Sequence, residues 1–311
     1  MSLKLTSWNV NGIRAGIKKG FWEKIDALKT DIACLQETKT DHENMQILAK
    51  NEKLIVANAQ DNDFFADQES NQWQILWHSC TMKKGYSGVA ILWKNPELKL
   101  KSYQLGLGDD EFDAEGRIAI AEFGYQNLEF VLINGYYPQG GRGPHRIDYK
   151  IRFYQKVNQL VNKLWSEGKS VILCGDLNTT ITDIDLARAK ENRKTTGCLP
   201  EERVALNWLV EAKSFETNQL KIENQDFLEY QNSKIQHLEL IDTFRYFYPD
   251  LVGKYTYWDQ ITRARERNVG WRIDYFLLDK KLLPNMKKSE IQETVMGSDH
   301  APITLELELI S

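Results

Sequence analysis

The chain has 311 residues, 42% of them hydrophobic and 27% charged, with a net charge of −4 at pH 7. That profile excludes a disordered or fibrous chain. It also excludes a protein that coats nucleic acid by bulk charge, while leaving room for a local basic groove. Cys34, Cys80, Cys174 and Cys198 are scattered with no CxxC pair, so a reducing compartment is expected. The start of the chain enters a strand pattern at once, so no signal peptide is expected, and no apolar run reaches membrane-spanning length. The expected location is the cytoplasm, or the nucleus in a eukaryote.

In chain order, Leu3 to Trp8 reads as a strand that Asn9-Val10-Asn11-Gly12 ends with polar turn residues. Lys18 to Lys29 reads as a helix, with Phe21, Trp22, Ile25 and Leu28 at helical spacing. Asp31 to Glu37 is a buried strand with a carboxylate at its end. The acidic, polar stretch from Asn58 to Asn71 reads as a surface loop. Gly85-Tyr86-Ser87-Gly88 leads into a strand over Val89 to Trp93. Arg117 to Phe123 and Leu128 to Asn134 form a hairpin around Gly124-Tyr125-Gln126-Asn127.

A Gly/Pro-rich loop from Gly135 to Pro144 carries Tyr136 and Arg142. Arg146 to Glu167 is the clearest helix, and Gly168 closes it. Ser170 to Leu173 begins a short strand buried on both faces. Gly175 is expected to break it, and alternation along an extended chain would put Asp176 and Asn178 on one side. Pro200-Glu201-Glu202-Arg203 starts another helix, with proline and acids in its first turn. Ser214 to Glu239 is weakly periodic and reads as a partly helical excursion. Ile241 to Arg245 returns to the core, and Trp271 to Leu278 and Ile303 to Leu309 are the last strands. No linker or repeat divides the chain. The expected architecture is one α+β domain over 1–311, with two mixed sheets packed face to face and helices outside.

Several of these strands end in carboxylates or carboxamides: Asn9, Asn11, Glu37, Asp176, Asn178, Asp274, and Asp299 beside His300. Each has an ordinary explanation as a turn residue or surface charge. If the strands converge, however, so many acids in one place demand a cation. All-oxygen donors point to Mg²⁺ or Mn²⁺. Zinc is disfavoured, since no second His or Cys sits at ligand spacing from His300.

The motifs SWNVNGIRA, CLQETK, GYSGVAI, EGR, GYYPQGGRG, GDLN, LPEER, IDTFR, NVGWRIDYFLL and GSDHAPI run in order along nearly the whole chain. In them the sequence resembles the exonuclease III family of apurinic/apyrimidinic endonucleases, within the endonuclease/exonuclease/phosphatase superfamily. The resemblance implies a four-layered α/β-sandwich of DNase I-like type. It implies Glu37 as main metal ligand, with Asn9, Asn11 and Asp299 near the same ion. Asp176 would orient and deprotonate the attacking water, Asn178 and His300 would hold the scissile phosphate, and Asp274 would fix the His300 ring. Tyr136 would sit at the phosphate, and Arg142 would enter the duplex beside the lesion. Tyr257, Trp271 and Ile273 would line a pocket for the base-less sugar.

The chain departs from the family pattern at Asn11, where many members carry Asp, and also at Thr195 and Cys198. Asn58 to Gln72 and Ser214 to Glu239 are longer than usual and are expected to point away from the DNA. The implied function is a Mg²⁺-dependent DNA-repair nuclease that cuts 5′ to abasic sites in duplex DNA as a monomer. It would also have 3′-to-5′ exonuclease and 3′-phosphodiesterase or phosphatase activity. Basic side chains on one face, Arg142 and Arg272 among them, would neutralise phosphates. The alternatives are a phosphatase or phosphodiesterase of the same superfamily acting on other phosphoesters, and a non-catalytic DNA-binding module.

Overall fold

The structure, a computed structural model, describes residues 2–57, 72–141, 143–210 and 240–309. Arg142 and the predicted segments 58–72 (apart from Gln72) and 214–239 lie outside the described residues. The apolar runs form strands β1 (Ser2–Asn9), β2 (Ile32–Gln36), β3 (Ile55–Val56), β4 (Gln74–His78), β5 (Val89–Trp93) and β6 (Leu98–Leu105). They continue as β7 (Ile118–Tyr125), β8 (Leu128–Tyr136), β9 (Val171–Asp176), β10 (Leu240–Asp242), β11 (Asp274–Asp279), β12 (Met286–Ile291) and β13 (Ile303–Glu308). The helices are α1 (Ile13–Lys18), α2 (Phe21–Ala27), α3 (His42–Asn51), α4 (Asp110–Asp113), α5 (Pro144–Ser166), α6 (Pro200–Asn207) and α7 (Thr243–Phe247).

Two mixed sheets result. One has seven strands in the order β12-β13-β1-β2-β5-β4-β3, and the other has six in the order β10-β11-β9-β8-β7-β6. The parallel pairs are β1 with β2, β3 with β4, and β8 with β9; the other pairs are antiparallel. Alternation along each strand sorts the side chains into layers. Ile32 and Cys34 of β2 meet Ile172 and Cys174 of β9 in the core between the sheets. Ala33 and Leu35, on the opposite face of β2, pack with Phe21, Ile25, Met45 and Leu48 of α2 and α3. Val171 and Leu173 pack against Phe153, Tyr154 and Val157 of α5. Helix, sheet, sheet and helix thus stack in the order the resemblance implies. Each buried Leu, Ile or Phe contributes about 1.5–3 kcal/mol to holding them together.

Three local differences from the sequence reading have physical causes. The helix expected over Lys18 to Lys29 is the shorter α2 (Phe21–Ala27), because Gly20 takes a left-handed conformation (φ 79°) that separates it from α1, which ends at Lys18. The hairpin strands run on to Tyr125, leaving only Gln126-Asn127 as the turn. Gly175 does not break β9. It sits opposite Gly135 in the β8–β9 pairing, where an added Cβ would come within 1.9 Å of the Gly135 carbonyl oxygen. Gly175 therefore permits a close pairing that carries β9 on to Asp176. Among the described residues no helix is long and apolar enough to cross a membrane.

Candidate active site

Strand direction gathers the polar strand ends at one edge of the sandwich. β1 and β2 are parallel with Asn9 opposite Gln36, so Asn9 and Glu37 leave the same edge. β8 and β9 are parallel with Tyr136 opposite Asp176, and antiparallel β11 starts there with Asp274 opposite Asp176. β13 runs antiparallel to β1, which places the turn carrying Ser298, Asp299 and His300 at this edge too.

Asn9 joins the two sheets. Its Nδ2 donates to Glu37 Oε1 at 2.8 Å and to Asp176 Oδ2 at 2.9 Å. Its Oδ1 accepts the Asn11 backbone N–H at 3.0 Å, and Asn11 Nδ2 donates to Asp299 Oδ1 at 3.0 Å. The two amides thus hold the three carboxylates in place. His300 Nδ1 lies 2.8 Å from Asp274 Oδ2, and its Nε2 lies 3.8 Å from Asp176 Oδ2. The turn beneath it is fixed by Ser298, whose Oγ donates to the Asn9 carbonyl at 2.7 Å and accepts the His300 N–H at 3.2 Å.

Asp176 and Asn178 are neighbours, but not through the alternation expected from the sequence. Asn178 adopts a left-handed conformation (φ 53°), and its backbone N–H donates to Asp176 Oδ1 at 2.9 Å. Its Nδ2 donates to the Tyr137 carbonyl at 2.8 Å. Asn tolerates this conformation because its short side chain bonds locally. Glu37 (φ 51°) and Lys39 (φ 49°) are also left-handed, which costs about 1–2 kcal/mol each for such residues. Backbone bonds from Gly12 N to Glu37 O (2.7 Å) and from Lys39 N to Ser87 O (2.9 Å) hold them there. Backbone strain of this kind gathers at functional sites.

Acids outnumber their ion-pair partners at this edge. Among the described residues, Lys39 lies 2.7 Å from Glu37 Oε2, and His300 pairs with both Asp274 and Asp176. Burial, then the neighbouring Asp274, push the Asp176 carboxyl up to about 7. Burial alone would lower the imidazole of His300, but Asp274 and Asp176 outweigh it and push His300 up to about 10. Burial likewise opposes ionisation of Glu37, yet Lys39 and the Asn9 amide hold it below the usual carboxylate range. The Tyr136 phenol is raised well above its ordinary value, by burial and then by Glu37.

Ligand atoms of Glu37, Asp176 and His300 lie within 4.8 Å of one another, an acidic group able to hold a metal ion. Since Asp274 and Asp176 favour the protonated imidazolium of His300, which has no free lone pair, the donors left for an ion are carboxylate oxygens, which fit a hard divalent cation.

The expected sugar-pocket residues stand beside this cluster. The Tyr257 ring is 4.9 Å from the His300 ring, and Tyr257 forms backbone bridges to both His300 and Trp271. Trp271 is not in β11, which starts only at Asp274, and its ring covers Gly197. Ile273 is buried.

Arg272 is a correction. It is buried rather than turned to phosphates, with Nε 2.7 Å from Asp185 and Nη2 2.6 Å from Asp242. Arg272 instead joins Asp185, Asp242 and Arg245 in one network of ion pairs. Sequence reasoning also passed over Lys39, Ser298 and Thr256. The Thr256 Oγ1 accepts the N–H groups of Ile273 (3.0 Å) and Asp274 (3.1 Å). A lone Ser or Thr in a loop carries no signal of such a role, and Lys39 reads as surface charge.

The sandwich with carboxylates, imidazole and carboxamides at one edge defines a metal-dependent phosphodiesterase. The chain belongs to the Endonuclease/Exonuclease/phosphatase family, whose profile matches residues 6–300. It is 36% identical to the DNA repair nuclease APEX1 of Danio rerio, over 98% of this chain and 82% of that one. It is 34% identical to an exodeoxyribonuclease of Bacillus subtilis, over 99% of this chain and all (100%) of that one. Among solved structures it is similar to the AP endonuclease LMAP from Leishmania major, with a TM-score of 0.75, 25% identity and coverage of 99% of this chain and 88% of that one. The catalytic domain of Xenopus laevis APE2 is similar as well, with a TM-score of 0.73, 26% identity and coverage of 99% and 94%.

Proposed function

We propose that this chain, a DNA-repair nuclease of the AP endonuclease and exonuclease type, hydrolyses the phosphodiester 5′ to abasic sites in duplex DNA. We take 1–311 as one catalytic domain acting as a monomer. The observation that carries the reading is the Asn9 amide bridging Glu37 and Asp176 beside the His300–Asp274 pair. A nucleophile-activating carboxylate and a phosphate-binding imidazolium thus share one edge.

Asp176 orients the attacking water and takes its proton; a carboxylate with a pKa near 7 matches a base working at neutral pH. His300, held by Asp274 and charged at neutral pH, donates from Nε2 to the scissile phosphate, and Asn178 binds the same group. Tyr136 sits near the leaving oxygen. Glu37 is the main ligand for Mg²⁺, which Mn²⁺ can replace, with Asp299 close by. Asn9 and Asn11 keep these carboxylates in register. The bound cation would supply electrostatic stabilisation of the developing phosphorane charge. Tyr257, Trp271 and Ile273 accept the base-less sugar, and Arg142 enters the duplex beside it.

The test is a labelled duplex with one tetrahydrofuran abasic analogue, incubated with Mg²⁺ and with EDTA. Incision immediately 5′ to the lesion, in Mg²⁺ only, is expected. Release of phosphate from small phosphoesters with the duplex left intact would overturn the assignment.

A further inference from the structure

Asn178 is held at each of its backbone polar groups, and one of the holders comes from helix α5. Lys150 of α5 donates from Nζ to the Asn178 carbonyl at 2.7 Å and to Glu202 Oε1 at 2.9 Å. Both side chains of the Lys150–Glu202 pair are fully buried.

Glu202 gathers two more segments around this point. Its Oε1 also accepts the Thr196 hydroxyl at 2.6 Å, and its Oε2 accepts the backbone N–H groups of Gly197 and, at 3.2 Å, Leu199. Thr196 Oγ1 in turn accepts the Gly140 N–H at 3.0 Å, tying in the Gly-rich loop that carries Arg142. Gly197 closes the circle. Its carbonyl accepts the Thr180 N–H at 2.8 Å, and its Cα side faces the Trp271 ring, which an added Cβ would approach to 3.3 Å.

Stability does not account for this arrangement. Removing an ammonium and a carboxylate from water costs several kcal/mol per ion, and well-packed neutral side chains of the same shape commonly serve stability as well or better. What neutral replacements cannot do is donate to the Asn178 carbonyl and gather four donors on one carboxylate.

We propose that Lys150 and Glu202 are positioning residues of the active site. Their buried ion pair locks Asn178 in its left-handed conformation, and sets the Gly140 and Gly197 loops against it and against Trp271. The proposal rests on the function proposed above. It predicts a loss mainly in the chemical step, since Asn178 binds the reacting phosphate and neither side chain reaches the surface to touch DNA, with a smaller effect on duplex affinity through the loop that carries Arg142.

The experiment compares wild type with the double variant Lys150→Met/Glu202→Gln, close in shape and uncharged. It measures thermal stability, duplex affinity in EDTA, and single-turnover cleavage of the tetrahydrofuran duplex in saturating Mg²⁺. Expected are a folded protein, a duplex Kd that changes far less than the rate, and a cleavage rate lower by about 100-fold, the size of effect that small misplacements of a reacting group produce. A folded double variant that cleaves at the wild-type rate overturns the proposal. If the double variant does not fold, Glu202→Gln alone is measured in the same way, with a smaller loss in rate, again exceeding any change in Kd, expected and an unchanged rate overturning it. Should wild type not cut the abasic duplex, the function reading fails and hydrogen exchange decides the positioning claim separately. Faster exchange confined to peptides over 176–180 and 195–199 supports it, and unchanged exchange there overturns it.

Discussion

His300 Nδ1 and Asp274 Oδ2 meet at 2.8 Å although they come from different segments, the turn before β13 and the first residue of β11. The contact fixes the ring so that Nε2 faces Asp176. It also makes the site a store of bound protons when no cation is present.

The first prediction follows from that store. His300 is raised from 6.5 to about 10, so its contribution to stability is complete below pH 6.5 and is lost as pH rises through about 10. Asp176 is raised from 3.8 to about 7, so the folded state again binds the proton more tightly, and stability is lost as pH rises from about 4 through 7. Both signs agree. In EDTA the melting temperature should be highest at mildly acidic pH and fall steadily toward pH 10. Mg²⁺ should offset the fall at the alkaline end, and His300→Gln should flatten it above pH 7. A rising melting temperature between pH 5 and 9 in EDTA would contradict the assignment.

Glu37→Gln should keep the fold, since the amide can still accept from Asn9, while removing a carboxylate from the ligand group. Calorimetry should show Mg²⁺ affinity weakened, and incision should fall by orders of magnitude, partly recovered at high Mn²⁺. Unaltered metal binding would place the ion elsewhere.

Arg272→Met should act on stability and not on phosphate binding. It leaves Asp242 and Asp185 short of a buried partner, which typically costs about 3–5 kcal/mol. Urea unfolding measures the loss. The slope of log affinity for duplex against log salt should stay as in wild type, because no phosphate contact is removed. A slope shallower by about one would show Arg272 at the DNA after all.

Trp271→Ala should open space beside Gly197, whose Cα side the indole covers. Cleavage at the abasic analogue should slow, and discrimination against an intact nucleotide at the same position should relax, because the indole no longer excludes a base. Matched duplexes with and without the lesion test this. Equal proportional loss on both would mean that specificity lies outside this pocket.

Much of the fold is legible in local sequence. Apolar runs of strand length place the strands within a few residues, since burial on one or two faces leaves a period or a solid run that composition reveals. The polar ends Asn9, Glu37, Asp176 and Asp274 could be named because each interrupts such a run. Tertiary structure decided what the sequence could not, and for one reason: a side chain's role depends on partners far along the chain. Asn9 bridges Glu37 and Asp176 only because strands from different sheets end at one edge. Arg272 has an ordinary basic side chain between Trp271 and Ile273, and only the packing of Asp185 and Asp242 beneath it turns it inward. Asn178 reaches Asp176 through a left-handed backbone that no alternation rule foresees. Lys150, one charge on an amphipathic helix, is buried because Glu202 arrives from α6 to meet it, an encounter that hydrophobic periodicity does not record.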